Sequence, residues 1–122
     1  MTEPIIGWKL DADDREALLR QFAPKYTRVV ADHVTFGRGR HLALPAIKLA
    51  QVVGEADDHD GVQALVVALG GSTARPTGGV YHITWSLEPG RKPKESNDVI
   101  LANGWQPIGE GPTMRLSPAR WP

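Results

Sequence analysis

Histidine and threonine stand two residues apart at two places, His33-Val34-Thr35 and His82-Ile83-Thr84, each followed by a large aromatic residue. Histidine takes or gives a proton readily near neutral pH, its unperturbed pKa being about 6.5. Two imidazoles on opposite sides of one reacting group can do both in a single step. One deprotonates water while the other protonates a departing alkoxide. The threonine hydroxyls beside them can donate to anionic oxygens held in between, and a nearby arginine or lysine can offset developing charge. The repeated spacing therefore predicts acid–base chemistry on an anionic centre, provided the two segments face one cleft. His41 and His59 lack the companion threonine and receive no catalytic role.

The elements that must carry these residues are strands. In Tyr81-His82-Ile83-Thr84-Trp85-Ser86-Leu87, apolar Tyr81, Ile83, Trp85 and Leu87 alternate with polar His82, Thr84 and Ser86. Successive side chains leave a strand on opposite faces, so the three polar groups share one face. Ser86 can then extend an anion site, while Tyr81 and Trp85 on the reverse face belong to the core. Thr27 to Phe36 is rich in β-branched residues and reads as one strand, with Ala31, His33 and Thr35 opposite Val30, Val34 and Phe36.

Two basic stretches flank these strands. Gly37-Arg38-Gly39-Arg40-His41 reads as a loop whose glycines expose backbone N–H groups and whose Arg38 and Arg40 supply charge. Arg91-Lys92-Pro93-Lys94 follows the second strand, making Arg91 and Lys92 further candidates for contacts to a phosphate. Asp57-Asp58-His59-Asp60-Gly61 has the composition of a cation site, but such clusters more often close a hydrated turn, and no metal ligand is assigned.

The remaining elements are short. Asp11 offers an N-cap for a helix over about 12–22, ended by Pro24. Ile47–Val53 and Val62–Leu69 read as a hairpin, the second strand nearly all apolar and so central. Ile5, Ile6 and Trp8 suggest an edge strand, Ser96 to Ala102 a short helix, and 105–108 and 113–116 two further strands. The Pro-Ala-Arg-Trp-Pro end reads as a loose tail.

The 122 residues suit one domain, 1–122, with motif-bearing halves of about 1–54 and 55–122. Lys plus Arg and Asp plus Glu both number 14, which argues against a sequence-independent nucleic-acid coat but leaves room for a local basic pocket. The absence of cysteine removes thiolate ligands, disulfides and Cys nucleophiles. With no long apolar run and no signal-peptide layout, a soluble cytoplasmic protein without membrane association is expected.

His33-Val34-Thr35-Phe36 and His82-Ile83-Thr84-Trp85 resemble the paired motifs of the two-histidine (2H) phosphoesterases. Leu87 to Pro93 and Ser96-Asn97-Asp98 are similar to the small RNA-repair-associated subgroup sometimes called Swiss-army-knife 2H domains. The resemblance spans about Tyr26 to Leu101. It implies an α+β domain of two lobes, with antiparallel sheets around a central cleft, a pseudo-twofold repeat and few short helices. It also implies hydrolysis of a cyclic or linear nucleotide or RNA-end phosphodiester, such as a 2′,3′-cyclic phosphate, with no cofactor. His33 and His82 are then general acid and base in an unspecified order, and Thr35 and Thr84 hold the phosphate. A 2′-5′ linkage, an ADP-ribose cyclic phosphate and a cyclic oligonucleotide are equally open substrates. The alternatives are a non-catalytic binder of phosphorylated RNA ends or cyclic nucleotides on the same fold, and a metal-dependent hydrolase. The latter is disfavoured because His-x-Thr is not a ligand spacing.

Overall fold

The computed structural model describes residues 3–121. Its elements in chain order are β1 (Ile5–Leu10), α1 (Ala12–Gln21), β2 (Arg28–Val29), β3 (His33–Arg38), β4 (Leu49–Asp57), β5 (Val62–Leu69), β6 (His82–Leu87), α2 (Glu95–Asn103), β7 (Gln106–Pro107) and β8 (Thr113–Trp121). The strands follow one hydrogen-bonded path, β2-β6-β5-β4-β8-β1-β3, with β7 added beside β4. Every pairing between these strands is antiparallel, so the chain is an α+β domain that is mostly β.

Strand β8 joins two groups of strands because it changes partner along its length. Thr113, Met114 and Arg115 pair with β4, whereas Leu116 to Trp121 pair with Leu10 to Ile5 of β1. The C-terminal segment is therefore a ladder strand and not the loose tail that its composition predicts. Pro118 is tolerated because, among the described residues, no further strand pairs with the far side of β8 beyond Leu116, and an edge can spare a donor. Pro122 lies outside the described residues. For the same reason β1 is not an edge strand: it sits between β8 and β3.

The region 27–36 does not form one strand. Arg28 and Val29 pair with Leu87 and Ser86, and the N–H groups of Val30 and Ala31 continue that ladder to the carbonyls of Trp85 and Thr84. At Ala31 the backbone takes a positive φ of 43°, rare for a residue with a side chain, and the chain leaves β6. Arg15 of α1 holds this bend by donating from Nε to the Ala31 carbonyl at 2.7 Å. Two residues later β3 begins at His33 and pairs with β1 as far as Arg38, so Gly37 and Arg38 belong to a strand and not to the expected loop. The two His-Thr strands thus diverge from a shared ladder.

The core lies beneath them. Trp8, Val34, Val52, Leu65, Val67, Ile83 and Trp85 are fully buried in one cluster. Trp8 meets Phe36 and Tyr81 edge to face, with ring centroids 5.9 and 6.1 Å apart. A second cluster, including Ala56, Ala64, Val66, Leu87, Val99 and Ile100, packs α2 against β4 and β5. Strand β5 is nearly all buried and central, as its apolar run predicts. Helix α1 starts where Asp11 accepts a hydrogen bond from the Asp14 N–H at 3.0 Å. No helix among the described residues is long and apolar enough to cross a membrane.

Candidate active site

His33 and Thr35 of β3 and His82 and Thr84 of β6 line one cleft of about 760 Å3. Alternation along β3 produces this directly: Val34 and Phe36 are buried in the core, and His33 and Thr35 turn to the open side. On β6 the face of His82 and Thr84 is covered as well, because Pro93 and the first turn of α2 lie over Thr84. His82 is 8 % and Thr84 7 % exposed, and Ser86 is wholly enclosed.

Each imidazole is held through Nδ1. In His33 that nitrogen lies 3.0 Å from a carboxylate oxygen of Asp32, which also receives the Lys9 ammonium at 2.6 Å. In His82 it lies 2.8 Å from the carbonyl oxygen of Val80. Both partners only accept, so both Nδ1 atoms carry the proton and both Nε2 atoms remain for the cleft. The His33 ring also packs edge-on against Trp121 at 4.6 Å, a contact supplied by the end of β8.

Burial pushes both imidazoles below the usual histidine range, and their neighbours then separate them. The Asp32 carboxylate favours protonated His33, against the opposing charge of Lys9. For His82 the hydrogen bond to Val80 works upward, while the charges of Arg75 and His33 add to the downward push. His82 is thus the more enclosed and has no carboxylate of its own.

The other charged groups lining the cleft are Arg38, Arg75, Lys92 and Lys94, all cationic. None of these four forms an ion pair among the described residues. In a chain whose formal net charge is zero, this is a local concentration of positive charge, electrostatically suited to an anion.

Arg38 and Lys92, both singled out from the sequence, reach the cleft; Arg40, Arg91 and Ser86 do not line it. Arg91 is committed elsewhere, with ion pairs to Asp58 and Glu95, each at 3.0 Å. Ser86 donates to Gln63 Oε1 and accepts from the Tyr26 N–H, a buried knot under the sheet. It counts as even with His82 and Thr84, but the β5–β6 register shifts between Thr84 and Ser86, and this bulge turns Ser86 toward Gln63 and off the His82 face, while Leu87 joins the cluster beside α2. In the acidic loop, Asp57 pairs with Lys25 and accepts a hydrogen bond from the Tyr26 hydroxyl, and Asp58 pairs with Arg91.

Thr84 differs from its counterpart. Its Oγ1 donates to the Pro93 carbonyl at 3.1 Å and lies 2.9 Å from the buried Ser96 Oγ. It thereby fastens the 92–96 segment across β6 and brings Lys92 and Lys94 to the rim. The Thr35 hydroxyl makes no hydrogen bond among the described residues.

Arg75 is the main participant that sequence reasoning missed. It sits in a tight turn, its N–H donating to the Gly79 carbonyl at 3.0 Å and its Nε to the Gly78 carbonyl at 2.7 Å. This folds the guanidinium back toward β3, where Nη1 is 3.4 Å from the Thr35 carbonyl. The available signal was an arginine within a glycine-rich connection directly ahead of a His-x-Thr strand. Lys94, Asn97 and Trp121 also line the cleft and were likewise not singled out. Comparison with protein-family models, with curated proteins and with solved structures finds no match for this chain.

Proposed function

We propose that this protein is a phosphodiesterase of the two-histidine type, hydrolysing a cyclic or linear nucleotide or RNA-end phosphodiester without a metal. The observation carrying the reading is that both His-x-Thr segments open onto one cleft whose other charged groups are all cationic. On this reading β3 and β6 are the equivalent strands of a pseudo-twofold 2H-type domain.

The phosphorus sits between the two Nε2 atoms. His82, kept neutral by burial and by Arg75, takes a proton from water as the water oxygen attacks phosphorus. The P–O ester bond opposite breaks, and the departing oxygen receives a proton from His33, the imidazole whose downward push from burial the Asp32 carboxylate partly offsets. A phosphomonoester and an alcohol result, and exchange with solvent resets both imidazoles. For a 2′,3′-cyclic phosphate both products are one molecule. Thr35 donates to a non-bridging oxygen, and Arg75, Arg38 and Lys92 balance its charge.

The commitment of the Thr84 hydroxyl to Pro93 favours a second reading, a binder of phosphorylated RNA ends that does not turn over. Incubation with 2′,3′-cyclic nucleotides, with and without EDTA, separates the possibilities. Turnover that survives EDTA and falls by at least about 10²-fold in both His33→Ala and His82→Ala is expected. Binding without turnover supports the second reading. EDTA-sensitive turnover, or a single variant retaining most activity, sinks the two-histidine mechanism.

A further inference from the structure

Next to the cation-lined cleft is a second hollow of about 530 Å3 between the Arg75–Val80 turn and the outer face of α2. The two share Arg75, Thr77, His82 and Asn97, so they are one continuous depression with His82 at the junction. Their chemistry differs. The hollow is lined by Val80, Ile100, Leu101 and Trp105, and its acidic group is Asp98. Leu101 is 88 % exposed, an unusual position for leucine on an otherwise polar helix face.

Trp105 is held at a fixed depth. A Cβ on Gly54 would lie 2.1 Å from Cε3 of its ring, so the indole rests directly on the backbone of β4. Gly78 and Gly104, which also line the hollow, have positive φ values of 109° and 71°, and side chains built there would meet nothing within 4 Å. The result is a fixed aromatic surface and a flat-walled space with little in it.

We infer that this hollow is a subsite for the planar base of a nucleotide whose phosphate occupies the His33–His82 cleft. The inference rests on the phosphodiester reading and adds to it the place where the substrate's base is held. Charge is unevenly divided: Arg38, Lys92 and Lys94 lie on the cleft side alone, whereas in the hollow Asp98 offsets the shared Arg75 and leaves no excess positive charge for a second phosphate. An uncharged ring suits Trp105 and Leu101, and the Asp98 carboxylate and Asn97 amide at the rim can meet N–H groups on its edge.

Titration calorimetry with inorganic phosphate and with adenosine 2′-monophosphate tests this. The nucleotide is expected to bind about tenfold tighter than phosphate, the increment typical of one stacked base. Trp105→Ala should remove that increment and leave phosphate affinity unchanged. Because Trp105 also packs on Gly54, Leu101→Gln at an exposed position serves as the companion variant and should remove part of the increment. Phosphate and nucleotide binding equally well, or both variants retaining the full increment, would overturn the subsite and leave the catalytic reading standing. Failure of both ligands to bind removes the phosphodiester reading and the subsite with it.

Discussion

His33 and Asp32 are neighbours in sequence, yet their side chains meet only because the chain bends at Ala31 before β3 begins. If the carboxylate supports a protonated His33, Asp32→Asn withdraws that support and the imidazole releases its proton at lower pH. The alkaline limb of the rate profile should then move toward acid, with folding stability little changed, since Asp32 is half exposed. An unmoved limb would mean that Asp32 only pairs with Lys9. The two threonines should separate as well. Thr35→Val is expected to lower turnover by about 10²-fold, as loss of one donor to a developing charge does, with unaltered stability. Thr84→Val removes a buried hydrogen bond and should cost about 1–3 kcal/mol in chemical denaturation. That His33, Thr35, His82 and Thr84 line one cleft was legible in the sequence because spacing and alternation act locally. The roles of Ser86 and Arg91 could not, since each is decided by a partner far along the chain: Gln63 for the one, Asp58 for the other. Arg75 was hidden for a related reason, its direction being set by a turn whose shape no periodicity announces.

Strand β3 is placed by its close approach to β1, and that approach depends on Gly7. The register shifts between Ile6 and Gly7, and Gly7 comes to lie opposite Thr35. A Cβ at Gly7 would stand 2.2 Å from the carbonyl oxygen of Val34, a backbone atom that cannot move aside without shifting the strand. Gly7→Ala is therefore expected to destabilise the fold by about 3 kcal/mol, visible as a lower urea midpoint. A midpoint equal to wild type would show that β1 and β3 can separate freely. Elements with one environment along their whole length were legible from sequence: α1 from its cap and stripe, β5 from its unbroken apolar run. Those that change partner midway were not. Residues 28–38 serve β6 and then β1, and β8 serves β4 and then β1; residue preference reports that a segment is extended but not which neighbour it follows.

At the scale of the molecule, zero net charge coexists with a cleft that gathers Arg38, Arg75, Lys92 and Lys94. Salt should therefore act on substrate capture and scarcely on stability. Between about 0.05 and 0.5 M salt, where the screening length falls from roughly 14 to 4 Å, KM should rise several-fold while the urea midpoint stays put. Acid should act on the fold itself. Burial lowers the proton affinity of His33 and His82 in the folded state below the ordinary value of 6.5, so the unfolded chain binds more protons as pH drops through that value. Stability rises with pH wherever the unfolded state holds the excess protons, so it should fall on acidification from about pH 7. This loss begins above the range in which Asp14, Asp32, Asp57 and Asp58 titrate, for their carboxyls are themselves held below 3.8 by their partners. Between pH 7 and 5 the slope is thus a signature of the two imidazoles. Urea unfolding across that interval should slope in wild type and flatten in a His33→Asn, His82→Asn double variant. An equal slope in both proteins would show that neither ring resists protonation in the folded state, and that burial adds nothing to the neutrality of His82.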